Sequence, residues 1–181
     1  MTDSTMVLAR SRGQTALLIL GFALATALAA QAALPIPGTP VPLALAPLAV
    51  VLAGLWLGPA AGAASMALYL LAGAAGLPAF APVGLPGAAR LLGPTGGYLL
   101  AYPAAAAVVG LIARRFPRAP GRILAALAGM VVIHAGGVAQ LALLTGSVAT
   151  AAALGSAPFV VVDAMKAVVA GLLAPSRAAR A

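Results

Sequence analysis

The stretch that decides the fold covers residues 123–162 and reads ILAALAGMVVIHAGGVAQLALLTGSVATAAALGSAPFVVV. It contains no Asp, Glu, Lys or Arg, and it is about twice as long as the ~20 apolar residues that cross a bilayer. Residues 13–89 and 91–113 are equally free of charged side chains. Apolar segments of this length are stable in lipid and not in water. The sequence therefore predicts an integral membrane protein.

The composition of the whole chain agrees with that prediction. Apolar residues make up 64% of the 181 residues and charged residues 7%, against about 45–50% and about 25% in soluble domains. A soluble, a disordered and a nucleic-acid-binding protein are excluded, although the net charge is +8. The chain has no Cys, no Glu, two Asp and one His, which argues against a metal centre and weakly against an enzyme. We expect no metal and no resident cofactor.

Glycine and proline divide the apolar sequence into segments. Proline is dense at residues 35–42, where a helix cannot continue. We predict an all-α integral membrane protein with six transmembrane helices, forming a single membrane domain over residues 1–181. The predicted spans are residues 14–34, 43–57, 60–76, 94–113, 123–144 and 157–174.

Basic residues predict the orientation of these spans. With six spans, eight arginines fall on one side of the membrane and one, Arg90, on the other. The positive-inside rule then places both termini in the cytoplasm and loops 35–42, 77–93 and 145–156 outside. We expect a multi-pass protein of the cytoplasmic membrane. The eight inner residues are Arg10, Arg12, Arg114, Arg115, Arg118, Arg122, Arg177 and Arg180.

The first span allows two interpretations. Arg10, Arg12, an apolar run and Ala30-Gln31-Ala32 imitate a cleavable signal sequence. The run is long for a signal core, however, and small residues such as Ala23 and Ala27 recur at spacings of four, a pattern that lets helices approach closely. We expect this segment to be retained as a span.

Two charged residues lie in the sixth predicted span, about two turns from its outer end. Asp163 and Lys166 each cost roughly 2.5–3.5 kcal/mol at the centre of a membrane helix. At a spacing of three they share one helix face and can pair. They form either a self-neutralising internal ion pair or, as we expect, a polar binding site near the outer leaflet.

Other residues leave alternatives open. His134 is a packed core histidine, a ligand contact or a proton relay. Tyr98 either belongs to an interface belt or contacts a ligand. The sequence Gly93-Pro-Thr-Gly-Gly-Tyr-Leu99 lacks the spacing and the Gly-Lys-Ser/Thr ending of a phosphate loop, so we expect close backbone packing at a helix start.

Several motifs together resemble one family. They are Ile36-Pro-Gly-Thr-Pro-Val-Pro-Leu43, Leu52-Ala-Gly-Leu55, Leu57-Gly-Pro59, Leu71-Ala-Gly-Ala-Ala-Gly-Leu-Pro78, Gly93-Pro-Thr-Gly-Gly-Tyr-Leu99 and Asp163-Ala-Met-Lys166. The pattern is similar to the BioY family, the biotin-binding S components of energy-coupling factor (ECF) vitamin transporters.

The resemblance implies a six-helix S-component-like fold that captures biotin, with Asp163 and Lys166 binding it. It also implies a T-component membrane protein and two ATPase subunits as partners, or self-association where these are missing. Small residues of the first helix, Ala23 and Ala27, would form the coupling face toward the T component. The chain departs from the family at Ala44-Leu-Ala46 and at Ala81-Pro82, where polar biotin contacts are expected.

The chemistry of biotin fits the remaining candidates. An aromatic ring such as Tyr98 can flank its apolar ring, and Arg90 can attract its carboxylate. Thr95 and Gln140 complete the expected substrate-binding set. The alternative function is a self-sufficient small-molecule permease, oligomeric or proton-coupled, that uses Asp163, Lys166 and His134. A membrane enzyme is disfavoured, because no nucleophile, base and metal constellation is present.

Overall fold

Eight helices and one short hairpin make up the computed structural model, which describes residues 11–175. The expectations for Arg10, Arg177, Arg180 and the two chain termini lie outside these residues. The helices are α1 (Arg12–Gln31), α2 (Ala46–Leu57), α3 (Pro59–Ala74), α4 (Ala89–Leu92), α5 (Gly96–Arg115), α6 (Ala119–Thr145), α7 (Val148–Gly155) and α8 (Val160–Leu173). The hairpin strands are β1 (Ala33–Leu34) and β2 (Leu43–Ala44).

The helices differ in how much of a bilayer they can cross. By length and composition, α1, α5 and α6 are each sufficient for a span. Helices α7 and α8 form a pair bent by 58° that together would make a fourth. Helices α2 and α3 are apolar but shorter. They meet at Gly58, whose φ of 81° is readily adopted by glycine but strained for other residues. The chain is therefore a mostly helical protein with several apolar helices.

The segments expected to be plain loops carry structure of their own. Gly146, at φ 71°, ends α6, and the Ser147 side chain then caps α7 by accepting from the Thr150 amide. Helix α7 thus lies inside the predicted loop 145–156. The proline-rich loop is closed by β1 and β2, which pair antiparallel with Ala33 opposite Ala44.

Glycines bring α5 and α6 unusually close together. A Cβ atom on Gly97 would overlap the carbonyl oxygen of Gly136, and one on Gly137 would overlap the ring of Tyr98. A Cβ atom on Gly96 would likewise overlap the Leu91 carbonyl oxygen. The predicted close packing at the start of this helix is confirmed, because no side chain larger than hydrogen fits at these positions.

Helix α1 places its small residues differently from the prediction. Ala23 is only 7% exposed, and Ala27 is partly buried against the same core. The rest of the chain therefore covers most of the Ala23 surface, whereas Ala27 keeps part of its surface exposed. The small residues that α1 does expose are Gly13, Ala16, Gly21 and Ala25, of which Gly21 and Ala25 are again four residues apart.

Candidate functional site

One cavity collects residues from most of the helices and from the proline-rich hairpin. Five expected site residues line it: Asp163, Lys166, Tyr98, Arg90 and Thr95. The full lining is Ala30, Val41, Pro42, Leu43, Ala44, Ala46, Pro47, Tyr69, Phe80, Ala81, Arg90, Thr95, Tyr98, Leu99, Tyr102, Ile133, His134, Phe159, Asp163 and Lys166. Loops 35–42 and 77–93, both expected to face outward, thus contribute directly to the cavity.

The charged pair on α8 is buried, and both charges are hydrogen-bonded. The Lys166 ammonium donates to Asp163 Oδ1 at 2.7 Å and to the Ala44 carbonyl oxygen of β2 at 2.7 Å. Asp163 is 6% exposed and Lys166 is 7% exposed. Asp163 lies in the first turn of α8, not two turns into the helix, because α8 begins at Val160. The positive end of the helix dipole stabilises a carboxylate at that position.

His134 extends this pair into a network that joins α6 to α8. Its Nε2 lies 3.0 Å from Asp163 Oδ2, and its Nδ1 lies 2.9 Å from the Ser156 hydroxyl. An ionised carboxylate only accepts hydrogen bonds, so Nε2 donates, and in the neutral ring Nδ1 then accepts from Ser156. The imidazole is hydrogen-bonded on both sides and also lines the cavity. Ser156 was not anticipated from the sequence, where nothing distinguishes it from other loop serines.

Aromatic side chains form the apolar walls of the cavity. The Tyr69 ring stacks on Tyr102 at a centroid distance of 6.0 Å and meets the edge of Phe80 at 5.5 Å. The Tyr98 hydroxyl donates to the Gly155 carbonyl at 2.6 Å, which ties α5 to α7. Tyr98 is buried within the protein, so it is not part of an interface belt.

Arg90 is the second buried cation of the cavity. Its Nε donates to the Leu85 carbonyl at 2.9 Å, and its Nη2 donates to the Ala81 carbonyl. The side chain therefore holds loop 81–85 over the cavity. Burial lowers the pKa of the guanidinium, which lies in the α3–α5 connection.

Gln140 has a different place from the one expected. Its amide donates to the carbonyls of Leu91 at 2.9 Å and Gly93 at 2.8 Å. These bonds fasten α4 and the start of α5 to α6. Gln140 is not among the residues that line the cavity, so the expected substrate contact is corrected to an anchor of the neighbouring connection.

Taken together, the cavity offers hydrogen-bond acceptors and donors at a buried ion pair, aromatic walls and a separate guanidinium. Sites for small organic molecules have this combination of apolar walls and few polar groups. Among the residues that the structure describes, no three His, Cys, Asp or Glu side chains cluster as they would around a metal ion.

These features define a multi-pass helical membrane protein with a buried internal cavity that combines charged groups and aromatic walls. The BioY family model matches residues 3–181. The chain belongs to the BioY family, a family of membrane transporters.

Relatives with 37–43% sequence identity support that assignment. The chain is 43% identical over 135 residues to the probable biotin transporter BioY of Pyrococcus horikoshii, covering 75% of this chain and 79% of the relative. It is 40% identical over 139 residues to the biotin transporter BioY of Thermotoga maritima, covering 77% and 82%. It is 37% identical over 166 residues to the biotin transporter BioY of Rhodobacter capsulatus, covering 84% and 86%.

The fold also matches a solved structure. The crystal structure of the S-component for biotin from an ECF-type ABC transporter superposes with a TM-score of 0.83 at 24% sequence identity. The match covers 92% of this chain and 93% of that chain. The predicted S-component-like fold is therefore confirmed.

Proposed function

We propose that this protein captures biotin and takes part in its uptake across the cytoplasmic membrane, as the substrate-specific S component of an ECF-type transporter. The observation that carries the proposal is the buried Asp163–Lys166 pair, which lines the cavity together with His134. The names of the relatives support biotin as the ligand.

The hydrogen-bonding groups of the Asp163–Lys166 pair are complementary to those of the ureido group of biotin. The Asp163 carboxylate accepts from the ureido N–H groups, and the Lys166 ammonium donates to the ureido carbonyl. Asp163 already accepts from Lys166 and His134, but each carboxylate oxygen has two lone pairs and can accept another bond. Charge-assisted bonds of this kind are about twice as strong as neutral ones, and the aromatic walls cover the apolar ring of biotin.

Biotin titration of two substituted proteins tests this assignment. Asp163→Asn keeps the shape and loses the charged acceptor, and Lys166→Met keeps the stem and loses the donor. A hydrogen bond to a charged group is worth about 1.5–3 kcal/mol, so affinity should fall by about one to two decades.

The comparison is made on protein that is monodisperse in detergent, because each substitution leaves an unpaired buried charge. A purely structural pair would lower the yield of folded protein and leave the affinity of the surviving protein unchanged. Titration curves of both variants that overlay the parent curve would refute the site.

The proposal extends to topology and partners. It comprises one membrane domain with six spans, with α2 and α3 each crossing as a short helix, and with both termini in the cytoplasm. The chain has no nucleotide-binding motif, so the energy for uptake comes from a T component and two ATPase subunits. The exposed small residues Gly21 and Ala25 of α1 give a partner helix room for close approach.

Uptake of labelled biotin with and without the T component and ATPases tests the partners. We expect binding by the chain alone and uptake that depends on the ATPases. Ala25→Leu should reduce uptake and leave binding unchanged, while Leu24→Ala on the same exposed helix serves as the control. Full uptake without the ATPases would favour the self-sufficient permease instead.

A further inference from the structure

Arginines concentrate at the end of the molecule where α5 stops and α6 starts. Arg115 lies in the last turn of α5, Arg118 directly precedes α6, and Arg122 lies in the first turn of α6. Asp163 is the one carboxylate side chain within residues 11–175, and its ion pairs join it to other residues of the cavity. That part of the chain therefore supplies no acidic side chain to this group of arginines.

One of these arginines forms part of the wall of a small pocket. The Arg122 Nε donates to the Gly171 carbonyl oxygen at 3.0 Å, which orients the guanidinium and leaves its Nη groups as further donors. The pocket also receives a second guanidinium, that of Arg114. Planar N–H donors of this kind match the oxygens of a phosphate group. The full lining is Gly54, Leu55, Gly58, Gly110, Ala113, Arg114, Pro117, Arg122 and Pro175.

An apolar groove adjoins this pocket. Pro117 lines both depressions, and the groove exposes about half of the Phe116 and Leu124 side chains, at 50% and 55%. Helix α6 is long and apolar enough to cross the bilayer, so its first turns lie close to the level of the lipid headgroups. The groove is lined by Arg115, Phe116, Pro117, Arg118, Pro120, Gly121 and Leu124.

Glycines fix the shape of both depressions. A Cβ atom on Gly110 would overlap the backbone nitrogen of Pro59, and one on Gly121 would overlap the carbonyl oxygen of Phe116. Helix α5 is thus pressed against the corner between α2 and α3, and the turn between α5 and α6 is tight. Because the pocket and the groove are already shaped, a ligand that fits them is bound at a lower entropic cost.

We propose that the pocket at Arg122 and the groove at Leu124 together bind one anionic phospholipid of the surrounding bilayer. The lipid phosphate accepts from the guanidinium groups of the pocket, and an acyl chain lies along Phe116 and Leu124. Basic pockets between membrane helices bind anionic headgroups in this way, whereas a zwitterionic headgroup would bring its own cation toward the arginines.

This site is separate from the cavity and goes beyond the proposed function. Gly171, which Arg122 contacts, lies about 12 Å along α8 from Asp163 at the rise of an ideal helix. Lipid binding at this place therefore does not depend on the identity of the transported molecule, and the test contains no biotin.

The test compares two lipids that share their phosphate and acyl chains, dioleoylphosphatidylglycerol and dioleoylphosphatidylcholine. Each is titrated into the full chain, monodisperse in detergent, and bound lipid is counted by native mass spectrometry. Arg122→Gln and Arg118→Gln alter the site, and the second does so without touching the bond to Gly171. Arg12→Gln is the matched control, because this exposed arginine at the start of α1 lines neither depression.

We expect the parent to bind phosphatidylglycerol at least about tenfold more tightly than phosphatidylcholine. One arginine near a membrane surface corresponds to about fivefold in affinity for anionic lipid, so each site variant should narrow the preference by about that factor. Arg12→Gln should leave it unchanged. Leu124→Ala should weaken both lipids alike, whereas Leu111→Ala, also exposed but outside the groove, should weaken neither.

Inorganic phosphate distinguishes a lipid site from a site for a free anion. The melting temperature of the parent should rise with phosphatidylglycerol and stay unchanged with inorganic phosphate at the same concentration. Equal stabilisation by the two would overturn the phospholipid assignment. Equal affinity of the parent for both lipids, or the same loss of preference in Arg12→Gln as in Arg122→Gln and Arg118→Gln, would overturn the site.

Discussion

His134 Nε2 lies 3.0 Å from Asp163 Oδ2, and this bond connects two helices that are otherwise apolar along most of their contact. It gives the buried carboxylate a second donor besides Lys166. Because Ser156 orients the other side of the ring, the acceptor atoms of Asp163 are fixed before a ligand binds. The position of Asp163 is therefore fixed by Ser156, acting through His134, as well as by Lys166.

The influence of this network on binding should decrease with distance from Asp163. His134→Leu removes one of the two donors to Asp163 and should weaken biotin binding by about one decade, the value of a bond to a charged group. Ser156→Ala removes only the bond that orients the ring and should weaken binding by about twofold to threefold, in line with a neutral bond of ~0.5 kcal/mol or slightly more. Calorimetric titrations measure both. If Ser156→Ala weakened biotin binding as much as Asp163→Asn does, the predicted decrease with distance from Asp163 would be wrong.

Gln140 should contribute to stability and not to ligand affinity. Gln140→Met leaves the carbonyls of Leu91 and Gly93 without their shared donor. The Gly93 carbonyl still accepts from the Gly96 amide, and a typical hydrogen bond contributes about 0.5–1.5 kcal/mol, so the melting temperature in detergent should fall. Biotin affinity of the folded variant should change by less than about threefold. A loss of affinity with unchanged melting temperature would return Gln140 to the binding site.

The contact between α5 and α6 should not tolerate a single methyl group. Gly97→Ala places a Cβ atom against the Gly136 carbonyl, and overpacking of this kind typically costs about 1–3 kcal/mol. Gly21→Ala is the control, because nothing lies within 4 Å of its Cβ position and alanine favours a helix by up to ~1 kcal/mol. Thermal unfolding should show a decrease for the first variant and no decrease for the second. Equal melting temperatures would contradict the close packing.

The orientation of the chain can be measured by cysteine labelling, since the parent has no Cys. Leu85→Cys and Phe116→Cys each place a thiol at an exposed position, in the α3–α4 connection and directly after α5. A membrane-impermeant maleimide should label residue 85 in intact cells and residue 116 only after permeabilisation. The reverse pattern would invert the proposed topology.

The sequence located part of the site because lipid penalises charge. Asp163 and Lys166 are conspicuous in an apolar helix, and the glycines of the Gly93–Leu99 segment indicated close packing. Tyr69 and Ser156 were not found, since a cavity wall and a histidine partner become visible only when distant segments are assembled.

The sequence could not predict which face of α1 is buried, for a different reason. In water, alternation of polar and apolar residues shows which helix face is buried. In lipid both faces are apolar, so the spacing of alanines did not show that Ala23 faces the core and Gly21 the outside. Helix α7 was missed although Gly146 and Ser147 carry ordinary helix-end and helix-start signals.

The bond from Lys166 to the Ala44 carbonyl joins residues 122 positions apart, and this separation has a consequence for biosynthesis. During synthesis on the ribosome, the hairpin and the aromatic walls exist well before α8 emerges. The polar part of the site is thus completed by the last described helix to be inserted. Asp163 and Lys166 enter the membrane on that same helix, one turn apart, so each charge arrives with its partner beside it. A nascent chain arrested before α8 would contain the other residues that line the cavity but not this ion pair.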